Sequence, residues 1–252
     1  MLITTNGIVI REKQVGENDK FIDILTADFG VIEISVKGSK KITSKNSSAT
    51  QLYAYSKFCI QKNGERAFLN SSEPIHIFYN IRLDVDKFSL ASYFSEILLY
   101  SIPSEEISND ILRLFLNSLH FLSEKNSDIY FIKSIFELRL VSEIGMMPDI
   151  VACKNCAVYS TEKMFFLIND GIILCNSCYK SGENSNNREL SPSLLHTIRY
   201  IVLTDFDRLW KFKVTDEVQK RLSYITENYL LSQLGRNFKT LDFFKSIVSN
   251  QP

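Results

Sequence analysis

No stretch of the 252-residue chain approaches the roughly 18 consecutive apolar residues of a membrane span, so the sequence excludes a transmembrane helix. The first residues, Met1-Leu2-Ile3-Thr4-Thr5, place no basic stretch ahead of an apolar run, which argues against a secretory leader. Net charge is missing as well. With 29 basic and 29 acidic residues the balance is +0, which excludes nucleic-acid binding through the whole surface and leaves only a local patch. No G-x-x-x-x-G-K-[ST], G-x-G-x-x-G or G-x-S-x-G motif occurs, so the common phosphate cradles and the nucleophile elbow are absent. His76, His120 and His196 are scattered without ligand spacing and read as core or surface residues. The signature of disorder is also lacking, since 45% of residues are hydrophobic and 23% charged.

One absence is local. From Ser35 to Asn63 there is no acidic residue, while Lys37, Lys40, Lys41, Lys45, Lys57 and Lys62 make the segment net +6. Tyr53, Tyr55 and Phe58 interleave with these lysines. Lysines neutralise phosphates and aromatic rings stack on bases. The competing reading is a solvated loop with core aromatics.

What is present first is β-structure. Gly7–Arg11, Phe21–Thr26, Val31–Val36, Tyr53–Gln61 and Arg66–Asn70 read as five short strands, with Ala27–Gly30 and Asn63-Gly64 as turns. Such a set suggests a small barrel or sandwich, and a barrel removes the exposed edges. Near residue 80 the period changes. Helical stretches are expected over Phe88–Leu99, Ile111–Leu122 and Ser127–Ile144, the third closed by Gly145 and Pro148. Ser191 is a candidate cap with Pro192 at the first helical position. A last amphipathic helix is expected over Thr215–Leu234. Lys45–Thr50 and Ser181–Arg188 are the most loop-like stretches.

The strongest local signal is a pair of Cys-x-x-Cys motifs, Cys153/Cys156 and Cys175/Cys178, with 18 residues between them. This spacing suits four thiolates around one zinc ion, each at about 2.3 Å. Met164–Ile168, Asn169-Asp170-Gly171 and Ile172–Leu174 read as the hairpin that returns the second pair to the first, a zinc ribbon at about residues 151–180. A closed site of four protein ligands leaves no position for water, so a zinc bound there would be structural. A redox dithiol pair is the competing reading. Cys59, on a strand pattern, reads as a buried small hydrophobe.

In this order, and on particular residues, the sequence resembles the RecO family of bacterial recombination mediators. The resemblance rests on Gly16-Glu17-Asn18-Asp19-Lys20, Leu25–Gly30 and Val36–Lys41 in the first part. It continues through Phe136–Leu140 and Ile144–Pro148 before the cysteines, then Tyr229–Leu231, Leu234-Gly235-Arg236 and Lys239-Thr240-Leu241. Where the family often has Gly-Ala-Arg, this chain has Gly38-Ser39-Lys40, which keeps the charge but loses the planar fork of arginine.

The resemblance implies an α+β fold: an OB-fold barrel over residues 1–80, then a helical domain over 81–252 carrying the ribbon. It implies a non-enzyme of the bacterial cytoplasm and nucleoid. Such a protein binds single- and double-stranded DNA and anneals strands. With RecR, and in some pathways RecF, it helps RecA replace single-stranded DNA-binding protein (SSB). Carried over by position, Lys37, Lys40 and Lys41 are the main DNA contacts, with Arg11 and Lys57 secondary. The alternative is a zinc-stabilised interaction scaffold that binds no DNA.

Overall fold

Alternation of apolar and polar residues builds the first part of the chain into five strands. They are β1 (Leu2–Val15), β2 (Asp19–Thr26), β3 (Val31–Val36), β4 (Ala54–Asn63) and β5 (Arg66–Ile77). In the computed structural model, which describes residues 1–38, 46–103, 109–124, 128–180 and 187–248, they close into a barrel in the order β1-β2-β3-β5-β4. β4 returns to β1, and the one parallel pairing joins Ser35 of β3 to Phe68 of β5. This is the OB-fold expected from the sequence. Every second residue points inward, so Ile22, Ile24, Ile34, Phe58 and Ile60 share one core. Gly64, at φ +60, supplies the left-handed position of the β4–β5 turn.

Two strands are longer than expected. β1 starts at Leu2 because its first half pairs with β4 and its second half with β2. β5 runs on to Ile77 although Asn70–His76 lacks apolar alternation, because β4 pairs with it throughout.

The helices are α1 (Val85–Ser101), α2 (Asn109–Ser123), α3 (Ile129–Glu143), α4 (Pro192–Leu203), α5 (Asp216–Leu234) and α6 (Lys239–Val248). Three short strands, β6 (Met164–Leu167), β7 (Ile172–Cys175) and β8 (Asn187–Leu190), form a second sheet in the order β7-β6-β8. Among the described residues no helix is long and apolar enough to cross a membrane.

The chain divides into two compact units, Met1–Ser127 with Phe238–Pro252, and Asp128–Asn237. In the first unit α1 and α2 lie against β1, and α2 also against β2. Ile8 and Leu25, on the outer face of the barrel, are thereby fully buried. Tyr53 joins barrel and helices. Its backbone is left-handed at φ +62, its N–H donates to Val9 O at 2.9 Å, and its ring meets those of Phe88 and Phe115 edge-on. Burial pushes its hydroxyl up to about 12.

α5 is not the last helix, as the sequence had suggested. α6 follows it and belongs to the first unit. Ten residues are too few for a helix to hold alone. Its N-terminal turn is satisfied from α1, where Glu96 accepts from Thr240 N at 3.1 Å and Thr240 Oγ1 at 2.6 Å. Phe238 packs its ring on Tyr93 and Tyr100.

In the second unit the expected punctuation is present. Ser191 caps α4 with Pro192 in its first turn, Thr215 caps α5, and Gly235 ends it at φ +60. α3 and α5 meet over a buried charge network. Lys133 Nζ lies 2.8 Å from Glu137 and 2.9 Å from Glu227, and Thr226 Oγ1 donates to Glu137 at 2.7 Å.

Candidate nucleic-acid interface and metal centre

The basic segment leaves the barrel after β3, and both of its feet are tied down. The β1–β2 turn swings through Gly16 and presents Asp19 and Lys20. Asp19 Oδ1 accepts from Gly38 N at 2.8 Å, which fixes the exit of the segment. Lys20, almost fully buried, donates to Thr50 O at 2.7 Å and to Glu12 Oε2 at 3.1 Å. Glu12 also accepts from Leu52 N. On the return side Asn46 Oδ1 accepts from both the N–H and the hydroxyl of Ser72 at 3.0 Å. The sequence reading used Asp19 and Lys20 only as part of a resemblance and missed their role as a clamp. The signal was there: an Asp-Lys pair opening an apolar strand.

Lys37 is exposed beside this clamp. Lys40, Lys41 and Lys45 lie outside the described residues. Lys57 is exposed on β4 in register with Glu73 of β5. Arg11 is on the outer face of β1, its guanidinium hydrogen-bonded to the buried Asp23 carboxylate, so part of its charge is already answered. Of the interleaved aromatics, Tyr53 and Phe58 are core residues and present no face to a base. Cys59 is half-buried on the outer side of β4, not inside the barrel, with Asn70 Nδ2 at 3.6 Å from its sulfur. His76, His120 and His196 are all exposed.

The four cysteines of the second unit converge. Their sulfurs all lie within 4.8 Å of one another, the only such group among the described residues. Cys156 and Cys175 sulfurs are 3.6 Å apart, far beyond a disulfide bond. A tetrahedral ion about 2.3 Å from each ligand holds its sulfurs about 3.8 Å apart. Two matching turns make this geometry. Ala157 N donates to Cys153 O at 2.8 Å and Tyr179 N to Cys175 O at 2.9 Å. β6 and β7 form the expected hairpin, and β8 adds a third strand that begins at Asn187 and Arg188, the last two residues of the stretch read as loop-like. Arg199 of α4 ties the ribbon's entry down, donating to Ile150 O and Val151 O at 2.8 Å with its guanidinium on the Tyr159 ring.

The thiol electrostatics fit a cation. Burial works against the Cys153 thiolate, but the backbone N–H groups of Cys175, Cys156 and Asn155 outweigh it and bring the thiol down to about 6. Hydrogen bonding with the Cys175 and Cys156 sulfurs pushes Cys178 up to about 12. Four thiolates cannot coexist there without a metal ion, and with one the donor set is complete. Cys153 and Cys175 are buried and Cys156 is exposed.

A closed OB-fold barrel with a basic segment, followed by helices and a four-cysteine ribbon, defines a modular α+β protein with a candidate metal centre. Family models narrow this class. "Recombination protein O N terminal" matches residues 1–78 and "Recombination protein O C terminal" matches residues 82–242. Curated relatives span the whole chain. A DNA repair protein RecO of Acetivibrio thermocellus is 30% identical over 245 residues, covering 97% of each chain. That of Alkaliphilus metalliredigens is 28% identical over 248 residues, covering 98% of this chain and 100% of its own. That of Caldicellulosiruptor bescii is 29% identical over 246 residues, covering 98% of this chain and 99% of its own. The chain belongs to the RecO family of DNA repair proteins.

Proposed function

We propose that this chain binds single- and double-stranded DNA, anneals complementary strands and acts without catalysis of its own. With RecR, and in some pathways RecF, it would help RecA displace SSB from single strands in the bacterial cytoplasm, at the nucleoid. The observation that carries this reading is the acid-free basic segment, clamped at both feet to the end of an OB-fold barrel, in a member of a DNA repair family. Lys37, Lys40 and Lys41 are the proposed main phosphate contacts, with Arg11 and Lys57 secondary. We assign DNA contact to the region of residues 1–80 and partner docking to residues 81–252. The ribbon would hold one structural zinc through Cys153, Cys156, Cys175 and Cys178, which suits soft thiolate donors without an open position.

The test is fluorescence anisotropy of a labelled single strand across a salt series, with zinc measured on the same sample. Expected are salt-sensitive binding and about one zinc per chain. Changing Lys37, Lys40 and Lys41 to Glu should abolish binding and annealing. Unchanged binding would overturn the assignment of these lysines. No binding at any salt would favour the interaction scaffold.

A further inference from the structure

A row of three residues crosses the outer face of the barrel. Phe21 of β2 is in register with Ser35 of β3, and Ser35 with Phe68 of β5. Their neighbours Ile22, Ile34 and Ala67 belong to the core inside, so the row faces outward. Adjacent strands are about 4.8 Å apart, so the two rings rise from strands about 10 Å apart with one small side chain between them. A planar ring held between two others needs about 7 Å, twice a carbon–carbon contact distance. Phe21, Ser35 and Phe68 are half-buried and line a groove of about 910 Å³. Phe29, Lys62 and Arg66 line it too.

Charge does not explain this groove. Arg11, Lys62 and Arg66 are matched by Asp23, Glu33 and Glu65 on its walls. Asp23 is bound by Arg11, and Glu33 by Lys13 at 2.7 Å. A balanced groove attracts a phosphate chain poorly, whereas aromatic faces bind any flat base. The groove is continuous with the described ends of the basic segment. Ser35 and Phe68 also line a smaller cavity of about 230 Å³ whose wall includes Lys37 and Asn46, the feet of that segment.

We infer that the Phe21–Ser35–Phe68 slot receives unpaired bases of single-stranded DNA whose phosphates lie toward the exposed Lys37. This rests on the DNA-binding reading above and adds a division of labour. The lysines hold either form of DNA, while the slot admits only bases free of a partner. Duplex bases are stacked and paired, so they do not enter.

The experiment uses the full-length chain with a labelled oligothymidine and a fully paired duplex, each titrated across salt. Phe21→Ala and Phe68→Ala remove one wall each. Ser35→Ile fills the gap, keeps both rings and suits a strand, so it tests the slot even where a truncated ring disturbs folding. Each variant is expected to weaken single-strand binding about tenfold, the size of one lost base–ring stack, with duplex affinity and the salt slope unchanged. A 2-aminopurine inside the strand should be quenched on binding the parent chain and not on binding Ser35→Ile. Parent binding with no loss in any variant, or equal loss on duplex and single strand, would overturn the slot and leave the DNA-binding reading standing. No binding of either DNA by the parent would overturn both.

Discussion

Replacing Lys20 by Met tests whether the clamp supports the barrel. The ammonium is almost fully buried, and it serves both the Glu12 carboxylate at 3.1 Å and the Thr50 carbonyl at 2.7 Å. Removing one partner of a fully buried ion pair costs about 3–5 kcal/mol. The Glu12 side chain keeps 24% of its exposure, and that partial solvation brings the pair's share down to about 2 kcal/mol. The orphaned carbonyl of the fully buried Thr50 adds about 1 kcal/mol. The sum, about 3 kcal/mol, lowers the melting temperature by roughly 6–12 °C for a chain of this size. Urea unfolding followed by far-UV circular dichroism measures it directly. Lys20→Met with Glu12→Gln should recover part of the loss, because the second change removes the stranded charge. A Lys20→Met variant as stable as the parent would refute the reasoning. So would a double variant worse than the sum of the single ones, since the stranded carboxylate would then not be the cause.

Other perturbations have outcomes of similar size. Lys133→Met leaves Glu137 and Glu227 facing each other and should cost about 3–5 kcal/mol at neutral pH by denaturant titration. Burial already pushes the Glu137 carboxyl up, with Lys133 opposing it. Without the lysine its folded value rises further above the unfolded one. Stability of the variant is therefore greatest in acid and falls as pH climbs from about 4.3, the unfolded carboxylate value, through the folded one; a pH-independent deficit would count against this. Gly171→Ala meets both a left-handed backbone, φ +66, and the Tyr229 hydroxyl, 2.8 Å from the added Cβ. That hydroxyl also donates to Met146 O at 2.8 Å, so a loss of about 2–3 kcal/mol is expected in thermal unfolding. A strong chelator, or Cys175→Ala, should unfold the ribbon, read as loss of protection from hydrogen exchange over Cys153–Cys178. Full protection after metal removal would show that the metal is dispensable for the fold.

The sequence alone determined what local chemistry determines. Period-two runs and the Asn63-Gly64 turn made the strands legible. Ser191-Pro192 and Gly235 marked helix ends, because caps and left-handed stops act within a few residues of themselves. The two Cys-x-x-Cys pairs were legible because a thiolate site confines its ligands in short loops. The resemblance over the whole chain, rather than any single motif, carried the family. Tertiary structure decided whatever depends on residues distant in sequence. α6 exists because Glu96, 144 residues earlier, caps it. β8 is a strand because β6 offers it an edge. Tyr53 is a core residue because Phe88 and Phe115 of the helices close over it, and Lys20 is buried because Thr50 and Glu12 meet it. The Phe21–Ser35–Phe68 row needs three strands, one of them joined in parallel across the chain. No local period records such a juxtaposition, since it arises only when the barrel closes.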